Sequence, residues 1–184
     1  SIMIAQVSGT LIEQKDKELV LEVGGIGYCI FTNTIKLNLG EKITLYTELI
    51  IKDDAHELYG FQTKEEKDLF KILIGVSGVG PKTALQMLTL YSLPTLVKII
   101  KTADSKSIAL VSGIGKKTSE KVVIDLKDKL DKFSETQERT NTDLVEALLS
   151  LGYKDAQIRL VAGLVDAKLP IEKQITEALR QIQK

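Results

Sequence analysis

The chain is poor in the residues that build many cofactor and disulfide sites. Its 184 residues include no tryptophan, one histidine and one cysteine, and aromatic residues make up only 5%. The single cysteine, Cys29, excludes a disulfide within the chain and any zinc or iron–sulfur centre made from several cysteines. No apolar run approaches the roughly eighteen residues of a membrane span. The first residues, SIMIAQVSGTL, lack a basic stretch followed by an apolar one, so no secretory signal is predicted and a reducing cytoplasm is expected.

A net charge is also absent, because 25 basic residues balance 25 acidic ones. The balance is uneven along the chain. Residues 1–63 hold five lysines and nine acids, whereas residues 64–133 hold thirteen lysines and eight acids, a net charge of +5. Residues 134–184 hold seven basic and eight acidic residues. The middle segment is therefore the expected contact for an anionic partner.

Residues 1–63 have the alternating pattern of β-strands. Five alternating runs occur in about sixty residues, and Gly24-Gly25 between two of them favours a tight hairpin turn of type I′. Closing five short antiparallel strands into a barrel removes their exposed edges. The pattern therefore predicts an OB-type barrel.

The spacing of apolar residues becomes helical from Lys64 onward. Residues 64–133 are predicted to form a helical domain, and the polar segment 134–142 is predicted to be a flexible linker. Residues 143–184, with breaks at Gly152 and near Pro170, predict a bundle of three short helices of the UBA-like type. The expected fold class is thus a multidomain α+β chain.

One eight-residue string occurs twice in the positively charged segment. Residues 76–83 read VSGVGPKT and residues 111–118 read VSGIGKKT, with six of eight positions identical. A tight Gly-apolar-Gly loop that leads into a helix exposes backbone N–H groups where the helix dipole is positive, and this arrangement binds phosphate. Each lysine that follows adds a positive charge.

The repeat predicts the candidate DNA-binding residues. They are Gly78, Gly80, Lys82, Thr83, Gly113, Gly115, Lys116, Lys117 and Thr118. The four apolar residues of the loops, at positions 76, 79, 111 and 114, are predicted to be buried plugs that fix each hairpin.

Other interpretations of these strings are weaker. One alternative is that the glycines are simple C-caps, and two copies in register argue against it. The string GVGPKTA also resembles the hairpin of base-excision DNA glycosylases, but the aspartate that those enzymes need is absent between Thr83 and Ala103. A P-loop is excluded because Pro81 interrupts its spacing. A structure-specific repair nuclease or glycosylase that uses the hairpins for grip, and a general duplex-binding accessory module, stay open as alternatives.

The strings resemble helix–hairpin–helix motifs, and the whole chain resembles the RuvA family of Holliday-junction-binding proteins. Further segments carry this resemblance: GGIGY at 24–28, DDAHELYGF at 53–61, LFKILI at 69–74 and ALLSLGYK at 147–154. The resemblance implies a DNA-binding subunit that is not itself an enzyme, needs no cofactor or metal, and holds a four-way junction open for branch migration in recombination and repair.

The resemblance also implies an assembly and further contacts. A homotetramer is expected, with an octamer on DNA as an alternative. Asp53-Asp54 would form an acidic pin at the crossover, and an ordinary polar turn is the alternative. The C-terminal bundle would bind the hexameric ATPase RuvB through Leu148, Leu151, Tyr153 and Leu179. Core packing is the rival explanation for each leucine, and Tyr153, beside Gly152 at a turn, is expected to be the most exposed of the four. RuvC resolvase is a further expected partner.

Overall fold

A computed structural model of the chain describes residues 3–33, 37–52, 55–131, 133, 144–153, 158, 161, 165 and 169–182. The chain divides into two compact units, residues 1–127 and 128–184. The first unit contains a β-barrel followed by helices, and the second unit contains helices. The α+β fold class is therefore confirmed. The domain boundaries at residues 63 and 133 and the linker at 134–142 remain predictions, because the linker lies outside the described residues.

The N-terminal part of the first unit is a closed barrel of five strands. The strands are β1 (Gln6–Lys15), β2 (Glu18–Val23), β3 (Ile26–Thr32), β4 (Lys42–Ile51) and β5 (His56–Phe61). They pair in the order β1-β2-β3-β5-β4, with β4 returning to β1. Only the β3–β5 pair is parallel. The predicted OB-like barrel is confirmed.

Two sites with glycine make this topology possible. Gly24 and Gly25 both have positive φ (59° and 87°), as the predicted type I′ turn between β2 and β3 requires. At Gly60 a Cβ would lie 2.6 Å from a methyl group of Ile30, so glycine lets β5 come close to β3 where the barrel closes.

The barrel core consists of apolar residues from all five strands that are at most 7% exposed. They are Val7, Leu11, Leu19, Leu21, Ile30, Leu45 and Leu58. Helix α1 (Lys64–Ile74) packs on this barrel through Phe70, whose ring centroid lies 5.1 Å from Tyr59 and 4.9 Å from Phe61. Lys67 of α1 is buried, and its Nζ lies 3.6 Å from a carboxylate oxygen of Glu48 on β4. These contacts hold the first helical hairpin against the barrel.

Four more helices complete the first unit: α2 (Pro81–Leu90), α3 (Leu93–Lys101), α4 (Ser105–Ile108) and α5 (Lys116–Leu126). Among the described residues, no single helix is both long and apolar enough to cross a membrane; α2 and α3 meet those criteria only as a pair bent by 104°. The α1–α2 and α4–α5 connections are the two repeated strings.

Helix α4 is shorter than the helical spacing of SKSIALVSG predicts. It ends at Ile108, after which tight turns form from Leu110 N–H to Ser107 and from Val111 N–H to Ile108. The side chain of Leu110 is 74% exposed, so it contributes no burial that would extend the helix. The chain instead enters the second hairpin directly.

The second unit is built around a small apolar core. Its described core residues are Leu144, Leu148, Ile158, Val161, Val165 and Ala178. Residues 144–150 are helical, and helix α6 (Ile171–Ile182) contributes Ala178 to the core. The helix at 144–150 ends in a Schellman motif, since Tyr153 N–H bonds to Leu148, Gly152 N–H bonds to Leu149, and Gly152 has φ 87°. The break predicted at Gly152 is confirmed.

Candidate nucleic-acid interface

The two repeated strings fold into nearly identical hairpins. In the first, the N–H of Val79 donates to the carbonyl of Val76 over 2.9 Å, and in the second Ile114 donates to Val111 over 3.1 Å. All four side chains are at most 6% exposed. The prediction that they are buried plugs is therefore confirmed, and each plug fixes the backbone of its loop.

The first glycine of each hairpin has a left-handed backbone. Gly78 has φ 93° and Gly113 has φ 87°, a conformation that other residues adopt only with strain. Neither glycine is a C-cap, because α1 ends at the cap residue Gly75 and α4 ends at Ala109, both in the right-handed region. The simple C-cap interpretation of these two glycines is thus wrong.

The second glycine of each hairpin leaves the next helix without a side-chain cap. Gly80 and Gly115 are the N-caps of α2 and α5, and neither helix has a side-chain hydrogen bond at its N-cap. The other three helices of this unit are capped by the side chains of Thr63, Ser92 and Asp104. Helices α2 and α5 also carry no acid in the first turn. Their N-terminal N–H groups can therefore bind an external anion.

Among the described residues, no contact or backbone angle requires glycine at these two N-caps. Gly80 has φ −84° and Gly115 has φ −87°, values open to any residue. A Cβ at either position would meet no other atom within 4 Å. The open space lies in front of the uncapped helix ends, where a missing side chain lets the backbone of a ligand approach closely.

The lysines of the two hairpins have different surroundings. Lys116 and Lys117 of the second hairpin are exposed, and neither has an ion pair among the described residues. In the first hairpin, the Lys82 side chain is 72% exposed, but its Nζ lies 3.9 Å from a carboxylate oxygen of Glu57 and 5.8 Å from the ring centroid of Phe31. The second hairpin therefore presents its positive charge to solvent more freely.

Glu57 on β5 belongs to a small charged network at the edge of the barrel. It accepts hydrogen bonds from Lys52 Nζ (2.7 Å) and from the Tyr59 hydroxyl (2.9 Å). The hydrogen bond from Lys52 is the main cause that lowers the pKa of Glu57. Burial and the neighbouring carboxylate raise the pKa of Tyr59. Glu57 is thus a carboxylate at neutral pH, and its negative charge partly offsets the positive charge of Lys82.

The threonines of the two strings lie between the hairpins. Thr83 and Thr118 are half-buried, and each lies beside the left-handed glycine of the opposite hairpin. Ser77 and Ser112 are exposed in the loops at equivalent positions. The sequence analysis did not single out these two serines, although the repeat contains them, and their hydroxyl groups can donate to a phosphate.

The predicted acidic pin lies outside the described residues. Asp53 and Asp54 fall in sequence between β4 and β5. The backbone N–H of Lys52 donates to the carbonyl of Ala55 over 2.8 Å, which pairs the residues on either side of them. The role of the two aspartates stays a prediction.

Of the four predicted partner contacts in the second unit, only one is exposed. Leu148 is fully buried in the core, and Tyr153 and Leu179 are half-buried against it. Leu151 is 57% exposed, so the prediction that Tyr153 is the most exposed of the four is wrong. The reason is the Schellman turn, which folds Tyr153 back towards Leu148.

Sequence reasoning also missed an exposed leucine in this unit. Leu149 is 48% exposed. The signal was present in the spacing, because Leu144 and Leu148 lie four residues apart on the buried face of the helix and Leu149 lies off that face.

Among the described residues, no group of three or more metal-ligating side chains comes together.

Three segments of the chain match known family models. Residues 3–60 match the family model of the RuvA N terminal domain, residues 70–128 match the SAM-like helix-hairpin-helix tandem, and residues 140–183 match the RuvA C-terminal domain.

Curated relatives are similar over nearly their whole length. The "Holliday junction branch migration complex subunit RuvA" of Pseudomonas aeruginosa (strain LESB58) is 35% identical over 97% of this chain and 98% of the relative. The proteins of the same name from Clostridium botulinum (strain Loch Maree / Type A3) and Marinomonas sp. (strain MWYL1) are 36% and 37% identical. They cover 99% and 90% of this chain, and 100% and 92% of their own lengths. The chain belongs to the RuvA family.

Proposed function

We propose that the chain is the DNA-binding subunit of a branch migration complex and binds four-way junction DNA. The observation that carries the proposal is the pair of matching hairpins, each of which leads into a helix with a glycine N-cap and no side-chain cap. Two such anion sites in one unit suit a polyanion with regularly spaced phosphates. Membership of the RuvA family identifies the junction as the expected polyanion.

The chemistry of the hairpins favours recognition of shape over sequence. Backbone N–H groups and lysines contact phosphates, which carry no base information. All basic residues between 64 and 133 are lysines. Lysine makes point-charge contacts without the forked geometry that arginine uses to recognise guanine. Binding is therefore expected to depend on where phosphates lie in space.

The resemblance to RuvA supports two further parts of the proposal. Four subunits would meet through their barrels, with Asp53 and Asp54 near the crossover, where carboxylates repel phosphates and help separate strands. The second unit would recruit the motor RuvB, and the exposed Leu149 and Leu151 are the best candidates for that contact. An octamer on DNA and a RuvC contact are compatible additions.

The experiment is a binding titration of a labelled four-way junction with the chain and with the double variant Lys82→Glu, Lys117→Glu. We expect the double variant to lose junction binding while its oligomeric state, measured by light scattering, stays that of the parent. The matched control is Lys15→Glu, Lys106→Glu, which makes the same change in net charge at two exposed lysines outside the hairpins. Equal loss in the control, or undiminished binding in the hairpin variant, would contradict the assignment.

The same preparation separates binding from cleavage. Labelled junction incubated with the chain and Mg²⁺, without a motor protein, is expected to stay intact. Cut product that persists in every purified fraction of the chain would favour the nuclease alternative.

A further inference from the structure

The threonine of each hairpin lies next to the left-handed glycine of the other hairpin. A Cβ placed on Gly78 would lie 3.4 Å from both the methyl carbon and the hydroxyl oxygen of Thr118. A Cβ placed on Gly113 would lie 3.5 Å from the hydroxyl oxygen of Thr83. Each threonine thus lies beside the left-handed glycine of the opposite hairpin, and the arrangement is reciprocal.

The threonines occupy a position suited to hold a neighbouring loop. Both are the third residue of their helix, one step after the exposed Lys82 or Lys117, and both are half-buried. A β-branched side chain on a helix has little rotational freedom, so its methyl and hydroxyl groups present a stiff surface. No hydrogen bond of either hydroxyl is found within the described part of the chain, so the contact is one of packing.

We propose that Thr83 and Thr118 are positioning residues that brace each phosphate-binding loop from the opposite hairpin. Thr83 would fix the loop that contains Gly113, and Thr118 would fix the loop that contains Gly78. The proposal rests on the proposed function, and it changes the role first predicted for these threonines, which was direct contact with DNA.

The bracing matters because the two sites must bind two phosphates at once. When two sites are held at a fixed separation, the second contact forms within one complex and avoids most of the ordering cost. If one loop becomes free to move, its contact must first be ordered. A threonine variant should therefore weaken the grip of the opposite hairpin more than that of its own.

A binding experiment on the full chain tests this crossed pattern. We expect Thr83→Ala to weaken junction binding about fivefold, the size of coupling common between contacting groups. The loss should persist in a Lys82→Glu background and nearly vanish in a Lys117→Glu background, where the second hairpin is already disabled. Equal losses in both backgrounds would overturn the proposal.

A second variant separates bracing from direct contact with phosphate. Thr83→Val keeps the branched shape and removes the hydroxyl donor. If the side chain acts by packing, valine restores most of the affinity that alanine loses. If valine is as poor as alanine, the hydroxyl contacts DNA and the proposal is wrong. Alanine is a good helix former, so the alanine variant is expected to fold.

A DNA-free measurement distinguishes failure of this proposal from failure of the proposed function. Hydrogen–deuterium exchange of the unbound chain should become faster in residues 111–115 for Thr83→Ala, and in residues 76–80 for Thr118→Ala. If each alanine variant speeds exchange in the opposite loop but the chain shows no preference for junctions, the bracing is supported and the proposed function is refuted. Unchanged exchange at both loops would refute the bracing, whatever the DNA result.

Discussion

At the scale of single residues, Gly80 and Gly115 have the same extended backbone as the capping residues Thr63 and Ser92. Their ψ values are 168° and 172°, against 155° at both capping residues. Serine at either glycine position could therefore accept a hydrogen bond from the N–H of the third residue of its helix, as Ser92 does from Thr95. That N–H group is one of those assigned to phosphate.

Stability and DNA binding are therefore expected to change in opposite directions in Gly80→Ser, Gly115→Ser. Serine is the better N-cap by a few tenths of a kcal/mol, roughly, at each site, so the melting temperature should rise slightly. Junction affinity should fall, because the hydroxyl oxygens compete with phosphate for the N–H groups. Calorimetry and a binding titration measure the two effects.

Ser92→Gly, the reverse substitution at another helix N-cap, is the control for this pair of substitutions. It removes a real side-chain cap from α3, so it should lower stability and leave junction affinity unchanged. Unaltered affinity in the double serine variant, together with raised stability, would show that the N–H groups of α2 and α5 do not bind DNA.

Glu57 is expected to limit the contribution of Lys82 to binding. Replacing it by glutamine removes a negative charge 3.9 Å from the ammonium group, while Tyr59 keeps an acceptor. We expect junction affinity to rise about threefold at low salt and the gain to shrink as salt screens the charges. Glu57→Asp keeps the charge and is the control. Weaker binding by the glutamine variant would show that Glu57 positions Lys82 productively.

The same carboxylate gives a pH dependence with a definite sign. Because the hydrogen bond from Lys52 lowers the pKa of Glu57 below its ordinary value of 4.5, the network stabilises the fold above that pH. The contribution is lost as the pH falls through the lowered pKa. Acid titration of parent and Glu57→Gln chains should therefore give stabilities that converge once the pH has fallen below the lowered pKa of Glu57.

Sequence reasoning predicted the two candidate phosphate sites but not the side-chain contacts around them. The repeat predicted Gly78 and Gly113 at special turns, because spacing and composition report local backbone requirements. The neighbours of Lys82 and Thr83 could not be predicted in the same way. They are Glu57 and Gly113, which lie 25 and 30 residues away in sequence and meet these side chains only through packing.

At the scale of elements, the position of α1 on the barrel depends on a buried charge. Lys67 is 7% exposed, lies 3.6 Å from Glu48, and its Nζ is 3.5 Å from the carbonyl of Ala5. Lys67→Met would keep the aliphatic packing but leave the Glu48 carboxylate with only Lys71, at 4.0 Å. We expect a loss of about 2 kcal/mol in the free energy of unfolding, less than for a fully buried pair.

A double variant shows whether that loss of stability comes from the Glu48 carboxylate that Lys67→Met leaves without its buried partner. Glu48→Gln added to Lys67→Met removes the buried negative charge and should recover more than half of the stability, as measured by chemical denaturation. No recovery would mean that α1 is held by Phe70 and its aromatic neighbours and that the charge pair contributes little.

Elements with a strong periodic signal could be predicted, and an element set by tertiary packing could not. Five alternating runs and the Gly24-Gly25 turn predicted the barrel, since strand alternation and turn chemistry are local. The end of helix α4 could not be predicted from spacing, because the chain turns at Ala109 into the second hairpin, where Val111 is buried and Leu110 is not. The exposed face of the second unit was misjudged for a different reason, because the Schellman turn folds Tyr153 back towards Leu148.

At the scale of the whole molecule, the chain separates DNA binding from the expected motor contact. The hairpins lie in the unit of residues 1–127, and the exposed Leu149 and Leu151 lie in the unit of residues 128–184. Removing residues 143–184 is therefore expected to spare junction binding and abolish stimulation of RuvB.

A full-length variant makes the same test without a deletion. Leu149→Glu, Leu151→Glu changes two exposed side chains, so the fold and junction binding should be preserved while stimulation of RuvB is lost. RuvB stimulated equally by the deletion and the parent chain would refute a role for the second unit.

The most direct measurement is a gel-shift titration that compares a synthetic four-way junction with linear duplex of the same sequence, at low and moderate salt. Each phosphate contact lowers the logarithm of the affinity with a slope of about −0.9 against the logarithm of salt concentration. Because the chain has no net charge, non-specific duplex binding should weaken first. A junction preference that persists at moderate salt is the predicted result. Equal affinity for junction and duplex would keep the hairpins as phosphate sites and contradict junction recognition.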